Sequence, residues 1–240
     1  CKKSLIMDCR DCKNINCFVN NYCLPNWLGY IQYNKTSKLL ASERMIFTAG
    51  DLVEGIYIIC SGKAKVLMKT HNHKKKEKVQ IIRVAGDGQI LGHRGISEEM
   101  IYPISAETIL ESEIAYISNT DFIKLINSNK DFAYHMIMFY ADELLQSEQK
   151  LRVTGIQSIE EKVAIAIISI VNAFGYKDEN TGELDLSIGL KELANFAIVS
   201  LPSLHKVIDI LISKGVIELN NKTIFLLSES RLRNIASFDY

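Results

Sequence analysis

The stretch GLKELANFAIVSLPSLHKVIDILISKGVIELNNKTIFLL, residues 189–227, decides the fold of this chain. It reads as two short amphipathic helices that meet at a three-residue corner and lead directly into a two-stranded ribbon. Apolar residues recur in both helices at the three- and four-residue spacing of a single buried face. They are Leu190, Leu193, Ala194 and Ala197 in the first helix and Leu204, Val207, Ile208, Leu211 and Ile212 in the second. Helix pairs of this kind place a helix in the DNA major groove, but the same pattern also serves as plain core packing.

The signals that start and stop these helices agree with the apolar pattern. Gly189 precedes the first helix, and residues 198–200 form the corner. Ser200 suits the N-cap of the second helix, Pro202 is tolerated in its first turn, and Gly215 follows its last turn. Both helices therefore have defined ends.

The ribbon and the outer face of the second helix supply the candidate reading surface. Val216 to Leu219 and Thr223 to Leu227 are joined by Asn220-Asn221, a pair that accepts the positive φ angles of a tight hairpin. The outer face of the second helix is polar. The candidate DNA contacts are Ser200, Ser203, His205 and Lys206, with Lys191 and Lys222 beside them.

Net charge limits how the chain can hold a nucleic acid. Residues 1–150 carry 19 basic and 17 acidic side chains, and residues 151–240 carry 9 and 11. The segment with the helix pair is therefore slightly acidic. Because Lys and Arg contacts to phosphate supply most non-specific affinity, DNA binding must rest on a local patch. The cations available for it are Lys191, Lys206, Lys222, Arg231 and Arg233.

Length and composition exclude several other classes of protein. A chain of 240 residues with 48% hydrophobic residues favours two domains with real cores. There is no run of 18 apolar residues and no signal peptide, so we expect a cytoplasmic protein with no membrane partner. The chain opens on Cys1, and we expect that residues upstream are missing. No nucleophile and base pair, phosphate loop or His-Glu metal motif occurs at usable spacing, so an enzyme is not expected.

The cysteines cluster at the amino terminus. Five of the six lie within the first 23 residues, and four of these have the spacing Cys9-x2-Cys12-x4-Cys17-x5-Cys23. In a cytoplasmic protein such clustering indicates metal or redox chemistry rather than disulfides. Four thiolates within fifteen residues can close an iron-sulfur cluster or a tetrahedral zinc site. The alternative is a reduced arm without a ligand.

The segment from Lys38 to Ser118 has a β pattern. Short β-rich runs separated by glycines predict a β-barrel or a double-sheet roll. The runs are Met45 to Phe47, Gly55 to Cys60, Lys63 to Lys69, Val79 to Val84, Gln89 to Gly92, Ser105 to Thr108 and Ser112 to Ile117. Turns are predicted at residues 48–51 and 85–88, and a solvated hairpin tip is predicted at Lys69 to Lys78, where polymerase or DNA contact is the alternative.

Helices follow the β-rich segment. One helix is predicted from Asp131 to about Val153, and its first half is apolar nearly all round, more than one sheet needs to cover. A symmetry mate is the simplest cover, and burial between two domains of a monomer is the alternative. Ser158 and Glu161 predict a capping box for the next helix, which ends before Gly175. Residues 176–184 read as a polar connection.

The order of these parts resembles the Crp/Fnr family of bacterial transcription regulators over almost the whole chain. The residues that carry the resemblance are Phe47-Thr48-Ala49-Gly50-Asp51, residues 55–63, Ala85-Gly86-Asp87 followed by Gly92, and Leu193-Ala194 through Gly215 with its wing. The resemblance implies an effector-sensing roll, a homodimer built on the long helix, and two recognition helices that read a two-fold symmetric operator.

The chain departs from the family's cyclic-nucleotide binders. Those proteins have a Glu after the Gly of this turn and an Arg next to Ser or Thr about ten residues later. Here His93 and Arg94 follow Gly92, and the later segment reads Tyr102-Pro103-Ile104-Ser105. A buried phosphodiester without its Arg lacks compensation, so a cyclic nucleotide is not expected in the usual pose. The candidate effector pocket is Gly92, His93, Arg94 and Tyr102.

Two further departures concern the cysteines and the helix pair of residues 189–215, which we call the reader. Family members often show Glu-x-x-Ser-Arg where this chain has Pro202 to Lys206, and Ile198 replaces a small residue at the corner. The usual operator sequence is therefore not expected. Oxygen-sensing members bind a [4Fe-4S] cluster through three arm cysteines and one in the roll, but that roll position is Ala115 here. The family favours iron-sulfur over zinc at Cys9, Cys12, Cys17 and Cys23, and Cys60 reads as a small buried hydrophobe.

These observations together predict an α+β protein in four parts. The parts are a cysteine-bearing arm (1–37), a β-roll of the cyclic-nucleotide-binding jelly-roll type (38–128), a long dimerisation helix (129–154) and a winged helix-turn-helix (155–240). The expected function is a DNA-binding regulator controlled by a small molecule or a redox signal, with double-stranded DNA, a second copy of the chain and RNA polymerase as partners. The alternative is a ligand-binding or structural homodimer with a degenerate DNA-binding domain, favoured by the acidic carboxyl part.

Overall fold

The structure is a computed structural model, and it describes residues 8–71, 77–153, 158–185, 187–220 and 223–236. The helices are α1 Phe18–Tyr22, α2 Pro25–Asn34, α3 Asn119–Ser128, α4 Lys130–Val153, α5 Ile159–Phe174, α6 Leu190–Phe196, α7 Leu201–Ser213 and α8 Glu229–Ile235. The strands are β1 Thr36–Leu40, β2 Met45–Phe47, β3 Gly55–Ser61, β4 Ala64–His71, β5 Glu77–Ala85, β6 Ile90–Leu91, β7 Ser105–Thr108, β8 Ser112–Ser118, β9 Tyr176–Asp178, β10 Glu183–Leu184, β11 Ile217–Asn220 and β12 Thr223–Leu226. A 3-10 turn, His93–Gly95, follows β6.

The chain divides into two compact units. The first unit is Cys1–Ala64 with Ala85–Lys150, and the second is Lys65–Val84 with Leu151–Tyr240. The hairpin of β4 and β5 therefore groups with the carboxyl-terminal elements, although it is inserted in the sequence of the roll. The finer division into four parts stays a prediction.

The roll that the glycine-separated β pattern predicts is present, and all of its strands except β4 and β5 lie in the first unit. Each predicted run forms a strand within about two residues of its expected ends, and β1 is an additional strand that the pattern missed. One antiparallel sheet has the order β1-β8-β3-β6, and β2 pairs with β7. In the centre of the β1-β8-β3-β6 sheet, Ile58 of β3 lies opposite Ala115 of β8, and both residues are buried. The α+β class and the β-roll are confirmed.

The cysteine-bearing arm packs on this sheet and on the helices beside it. Val19 of α1 and Cys23 belong to the same buried cluster as Ile58 and Ala115. The approach is close at the turn between β5 and β6, where the Phe18 amide donates to the Gly88 carbonyl at 3.2 Å.

Gly88 is required for this approach. Its φ is +82°, and a Cβ there would lie 2.4 Å from the carbonyl carbon of Asn16. A side chain at this position would therefore be strained and would also push the arm off the turn.

The predicted long helix is confirmed as α4. Its apolar first half is partly covered by the arm, because the Phe18 ring contacts Phe132 at 5.5 Å and Tyr22 stacks on His135 at 3.9 Å between ring centres. The large apolar side chains that stay exposed on α4 are Tyr134, Ile137, Met138, Tyr140, Leu144 and Leu145. The arm thus supplies part of the cover that was expected from a symmetry mate. The homodimer stays a prediction.

The second unit contains the winged helix pair. The Ser158 and Glu161 capping box is present at the start of α5, as predicted. The ribbon is β11 and β12, and it belongs to a four-stranded sheet of order β11-β12-β10-β9.

The interpretation of residues 176–184 as a polar connection is wrong. They form β9 and β10, because Gly182 has φ +70° and approaches β12 so closely that the Leu226 amide donates to its carbonyl at 2.8 Å. Such pairing between distant segments leaves no periodic signal in a run of polar residues.

We expect Gly88→Ala to lower the free energy of unfolding of the first unit by about 2–4 kcal/mol, because a left-handed φ costs about 1–2 kcal/mol and the clash with the arm adds to it. Gly50→Ala is the matched control, since Gly50 has φ +94° with nothing within 4 Å of its missing Cβ. Urea unfolding followed through the single tryptophan, Trp27 of α2, measures both variants. Equal losses in the two variants would show that the arm does not press on the turn.

Candidate nucleic-acid interface and sensor sites

The helix pair is held at its corner by backbone hydrogen bonds. Helices α6 and α7 are bent by 96° from each other, an angle typical of a helix-turn-helix. The Ser200 hydroxyl accepts from the Ser203 amide at 3.2 Å, which is the expected N-cap. Ile198 lies at the corner with φ +58° and is 56% exposed. A β-branched residue is strained in this region, where the small residue of the family would not be.

The predicted apolar stripe forms the core of the reader. Leu204, Val207, Ile208 and Leu211 of α7 are all at most 3% exposed, and Leu193 and Ala194 of α6 are buried as well. Ile212 departs from the prediction, because it lies at the edge of the stripe and is exposed. The core fixes which side of α7 faces outward.

The candidate DNA contacts lie on that outward side or next to it. His205 and Lys206 are exposed on α7, and Lys191 is exposed on α6. Ser203 is half-buried, and its hydroxyl lies 2.7 Å from that of the cap residue Ser200. Lys222 lies outside the described residues. The roles of all six stay predictions.

Ion pairs reduce the number of cations available for phosphate. Lys214 is paired with Glu160 at 2.7 Å, and Arg233 is paired with Glu229 at 2.6 Å. In the part of the chain that the structure describes, Lys206 makes no ion pair. Together with Lys191, it is therefore the cation of the helix pair best placed for a DNA contact.

The predicted effector position of the roll is occupied by aromatic side chains. Tyr102 is buried, its hydroxyl donates to the Gly55 carbonyl at 2.7 Å, and its ring stacks on Phe47 at 4.4 Å. Burial raises the pKa of Tyr102, so its phenol stays neutral. A Cβ on Gly92 would lie 3.3 Å from Tyr57 and from Tyr102, so these rings pack directly against the turn.

The two residues after Gly92 are engaged with a carboxylate of α4. His93 Nε2 lies 2.9 Å from Glu143 Oε2, and Arg94 Nε donates to the same oxygen at 2.8 Å. The Tyr140 hydroxyl donates to the His93 carbonyl at 2.7 Å, and desolvation of this hydroxyl group raises the pKa of Tyr140 to about 12. Glu143 gives no signal in the sequence, because nothing in a helical pattern shows which distant group a carboxylate meets.

The arm cysteines are gathered but do not converge. Cys9, Cys12 and Cys17 are half-buried and Cys23 is buried. Lys35 Nζ donates to Cys9 Sγ at 3.2 Å, and Asn129 Nδ2 donates to Cys23 Sγ at 3.6 Å. Among the described residues, no three His, Cys, Asp or Glu side chains are arranged to hold a metal ion.

Cys60 of β3 packs against the same apolar cluster as Cys9 and Cys17. Burial raises the pKa of its thiol to about 11. It is half-buried rather than fully buried, so the interpretation as a core hydrophobe is incomplete. Its position in a strand far from the arm in sequence gave no signal of this contact.

No described helix is by itself both long and apolar enough to cross a membrane; α6 and α7 pass that test of length and composition only as a bent pair.

Comparisons with known proteins agree with this architecture. Residues 38–129 match the family model described as a cyclic nucleotide-binding domain. The cyclic AMP receptor protein of Thermus thermophilus is 24% identical over 209 residues, which is 87% of this chain and 90% of that protein. The anaerobic regulatory protein of Bacillus subtilis is 20% identical over 186 residues, 77% of this chain and 76% of that protein.

A solved structure shows the same fold. The structure of FixK2 from Bradyrhizobium japonicum has a TM-score of 0.71 and 16% identity, and the match covers 86% of this chain and 99% of that one. Relatives matched over most of their length are transcription regulators, not enzymes. Regulators of this family bind DNA and typically act as dimers. The roll, the winged helix pair and these relatives lead to one conclusion: over most of its length the chain is similar to transcription regulators of the Crp/Fnr family.

Proposed function

We propose that the chain is a cytoplasmic, homodimeric regulator that reads duplex DNA with α7 and takes its signal through the cysteine arm. The observation that carries the DNA-reading part is the exposed polar side of α7. His205 and Lys206 lie there over a fully buried stripe, on a helix bent by 96° from α6. A helix presented in this way fits the major groove.

A second copy of the chain completes the reader. The exposed apolar side chains of α4 include Ile137, Met138 and Leu144, and burying such a row against its symmetry mate removes apolar surface from water. A two-fold pair presents two copies of α7 to half-sites about one helical turn, roughly 34 Å, apart. The operator is then palindromic.

A cyclic nucleotide in the usual pose is not part of the proposal. Two observations support its exclusion. Tyr102 and Tyr57 pack against Gly92, and Arg94 is engaged with Glu143. A phosphodiester at this place would have to compete for Arg94 with a carboxylate that is only 9% exposed.

The cysteine arm is the proposed sensor. Thiolates are the ligands that iron-sulfur clusters and zinc take, so Cys9, Cys12, Cys17 and Cys23 fit such a group by their chemistry. Because they do not converge as described, binding requires the arm to close around the group. A bound [4Fe-4S] cluster supplies sensitivity to oxygen and to redox state.

The arm is well placed to pass on a change. Phe18, next to Cys17 in the chain, contacts Phe139 of α4 at 5.4 Å, and Phe139 contacts His93 at 5.0 Å. A movement of the arm therefore reaches both the long helix and the residues beside Gly92. This arrangement supports a redox signal over a small molecule held inside the roll.

We expect Lys206→Ala to weaken specific DNA binding by about 1–3 kcal/mol, or roughly 5- to 150-fold, because it removes a cation from the reading face. The duplex is first selected with the unaltered protein from a random pool, and affinity is then measured by fluorescence anisotropy at several salt concentrations. Lys177→Ala is the control, since Lys177 is exposed on β9 and paired with Glu183. If no duplex is enriched at low salt under either reducing or oxidising conditions, the alternative of a degenerate reader is favoured.

We expect protein purified without oxygen to contain about four iron atoms per chain and to lose its visible absorption in air. Cys12→Ser should abolish iron binding, because a thiolate ligand is removed, and Cys60→Ser separates an arm-only site from one that includes the roll. Absorption spectra and metal analysis make the measurement. Bound zinc would change the metal but keep the ligands, whereas a colourless, metal-free protein with full DNA binding would refute the sensor.

A further inference from the structure

The outer edge of β5 is capped at residues 79–81 by the side chain of Asn195, which lies on α6. β5 is the terminal strand of its sheet. The Ile81 amide donates to Asn195 Oδ1 at 2.7 Å, and Asn195 Nδ2 donates to the Val79 carbonyl at 2.9 Å. Backbone groups two residues apart point to the same side of a strand. The amide of Asn195 therefore takes the place of one residue of a neighbouring strand.

Two further contacts join the hairpin to the same face of α6. Gln80 Nε2 donates to the backbone carbonyl of Asn195, and Gln80 is only 6% exposed. From the other strand, Lys65 Nζ of β4 lies 2.6 Å from Glu192 Oε1. Glu192 and Asn195 are three residues apart, so they lie next to each other on one face of the helix. Both strands of the hairpin thus hold α6.

The two strands of the hairpin are paired as far as their residues are described. β4 and β5 are neighbours in one sheet. Lys69 Nζ lies 3.0 Å from Glu77 Oε1, and Thr70 Oγ1 donates to the Lys78 carbonyl at 3.1 Å. The contacts with α6 are therefore made by paired strands rather than by a loop.

These contacts leave the reading face open. They engage α6, whereas the outward side chains of α7, His205 and Lys206, stay exposed while the hairpin is in place. The state with the hairpin bound is therefore compatible with DNA reading, and the contact is not a block.

We propose that the β4–β5 hairpin is a brace that positions the helix pair for DNA binding, with Asn195 as the positioning residue. This inference rests on the proposed DNA-reading function.

Asn195→Leu tests the brace, because leucine has a similar size but neither donates nor accepts. Hydrogen exchange followed by mass spectrometry is expected to show roughly tenfold faster exchange in both β5 and α6, since the Ile81 amide loses its acceptor. Affinity for the selected duplex is expected to fall about three- to tenfold. Asn234→Leu, at an exposed position of α8, is the matched control and should change neither.

A charge swap separates positioning from a loss of stability. Lys65→Glu should weaken DNA binding by repelling Glu192, and Lys65→Glu combined with Glu192→Lys should recover at least half of the loss in binding free energy. Unchanged exchange in β5 for Asn195→Leu, or a double variant as weak as the single one, overturns the brace. Hydrogen exchange needs no DNA, so it detects failure of the brace even if the unaltered protein enriches no duplex.

Discussion

The apolar layer between the β1-β8-β3-β6 sheet and helices α3 and α4 is the constraint on which the first unit depends. Ile58 and Ala115 on the sheet and Phe122, Leu125 and Phe132 on the helices are buried in one cluster. The arm contributes to the same layer through Val19 and Cys23. Because such a layer is packed as densely as a crystal, a shift of the arm cannot be absorbed locally. The cysteine arm is therefore attached to a densely packed part of the first unit, where a change in the arm would also move its neighbours.

The elements that local rules govern were predictable from the sequence. The stripe of α7, the Ser158 capping box, the length of α4 and the glycine-separated strands follow from periodicity, caps and turn residues, and all are present. The missed features depend on distant partners. Glu143 meets His93, Cys60 meets the arm, and Asn195 meets β5, and none of these pairs has a sequence period. β9 and β10 were missed for the same reason, since only pairing with β12 makes strands of so polar a run.

The balance of charge explains why a DNA-binding chain can have no net charge. Many cations of the described chain are engaged internally: Lys65 with Glu192, Lys214 with Glu160, and Arg94 with Glu143. These pairs hold elements in place, and they contribute little to the field outside the protein. The reader then acts through a few local contacts and not through a broad positive surface. Recognition of this kind gains specificity at the expense of general attraction to DNA.

The corner residue Ile198 has a consequence for the reader as a separate body. Its left-handed conformation is disfavoured by about 1–2 kcal/mol, and its amide donates to the Asn195 carbonyl, the same oxygen that receives Gln80. The right angle between the two helices is therefore imposed by its surroundings and is not the resting preference of the peptide. A fragment cut from residues 158–236 would lack Gln80, which donates to this oxygen. The helix pair is therefore completed by the β4–β5 hairpin, a segment about a hundred residues earlier in the sequence.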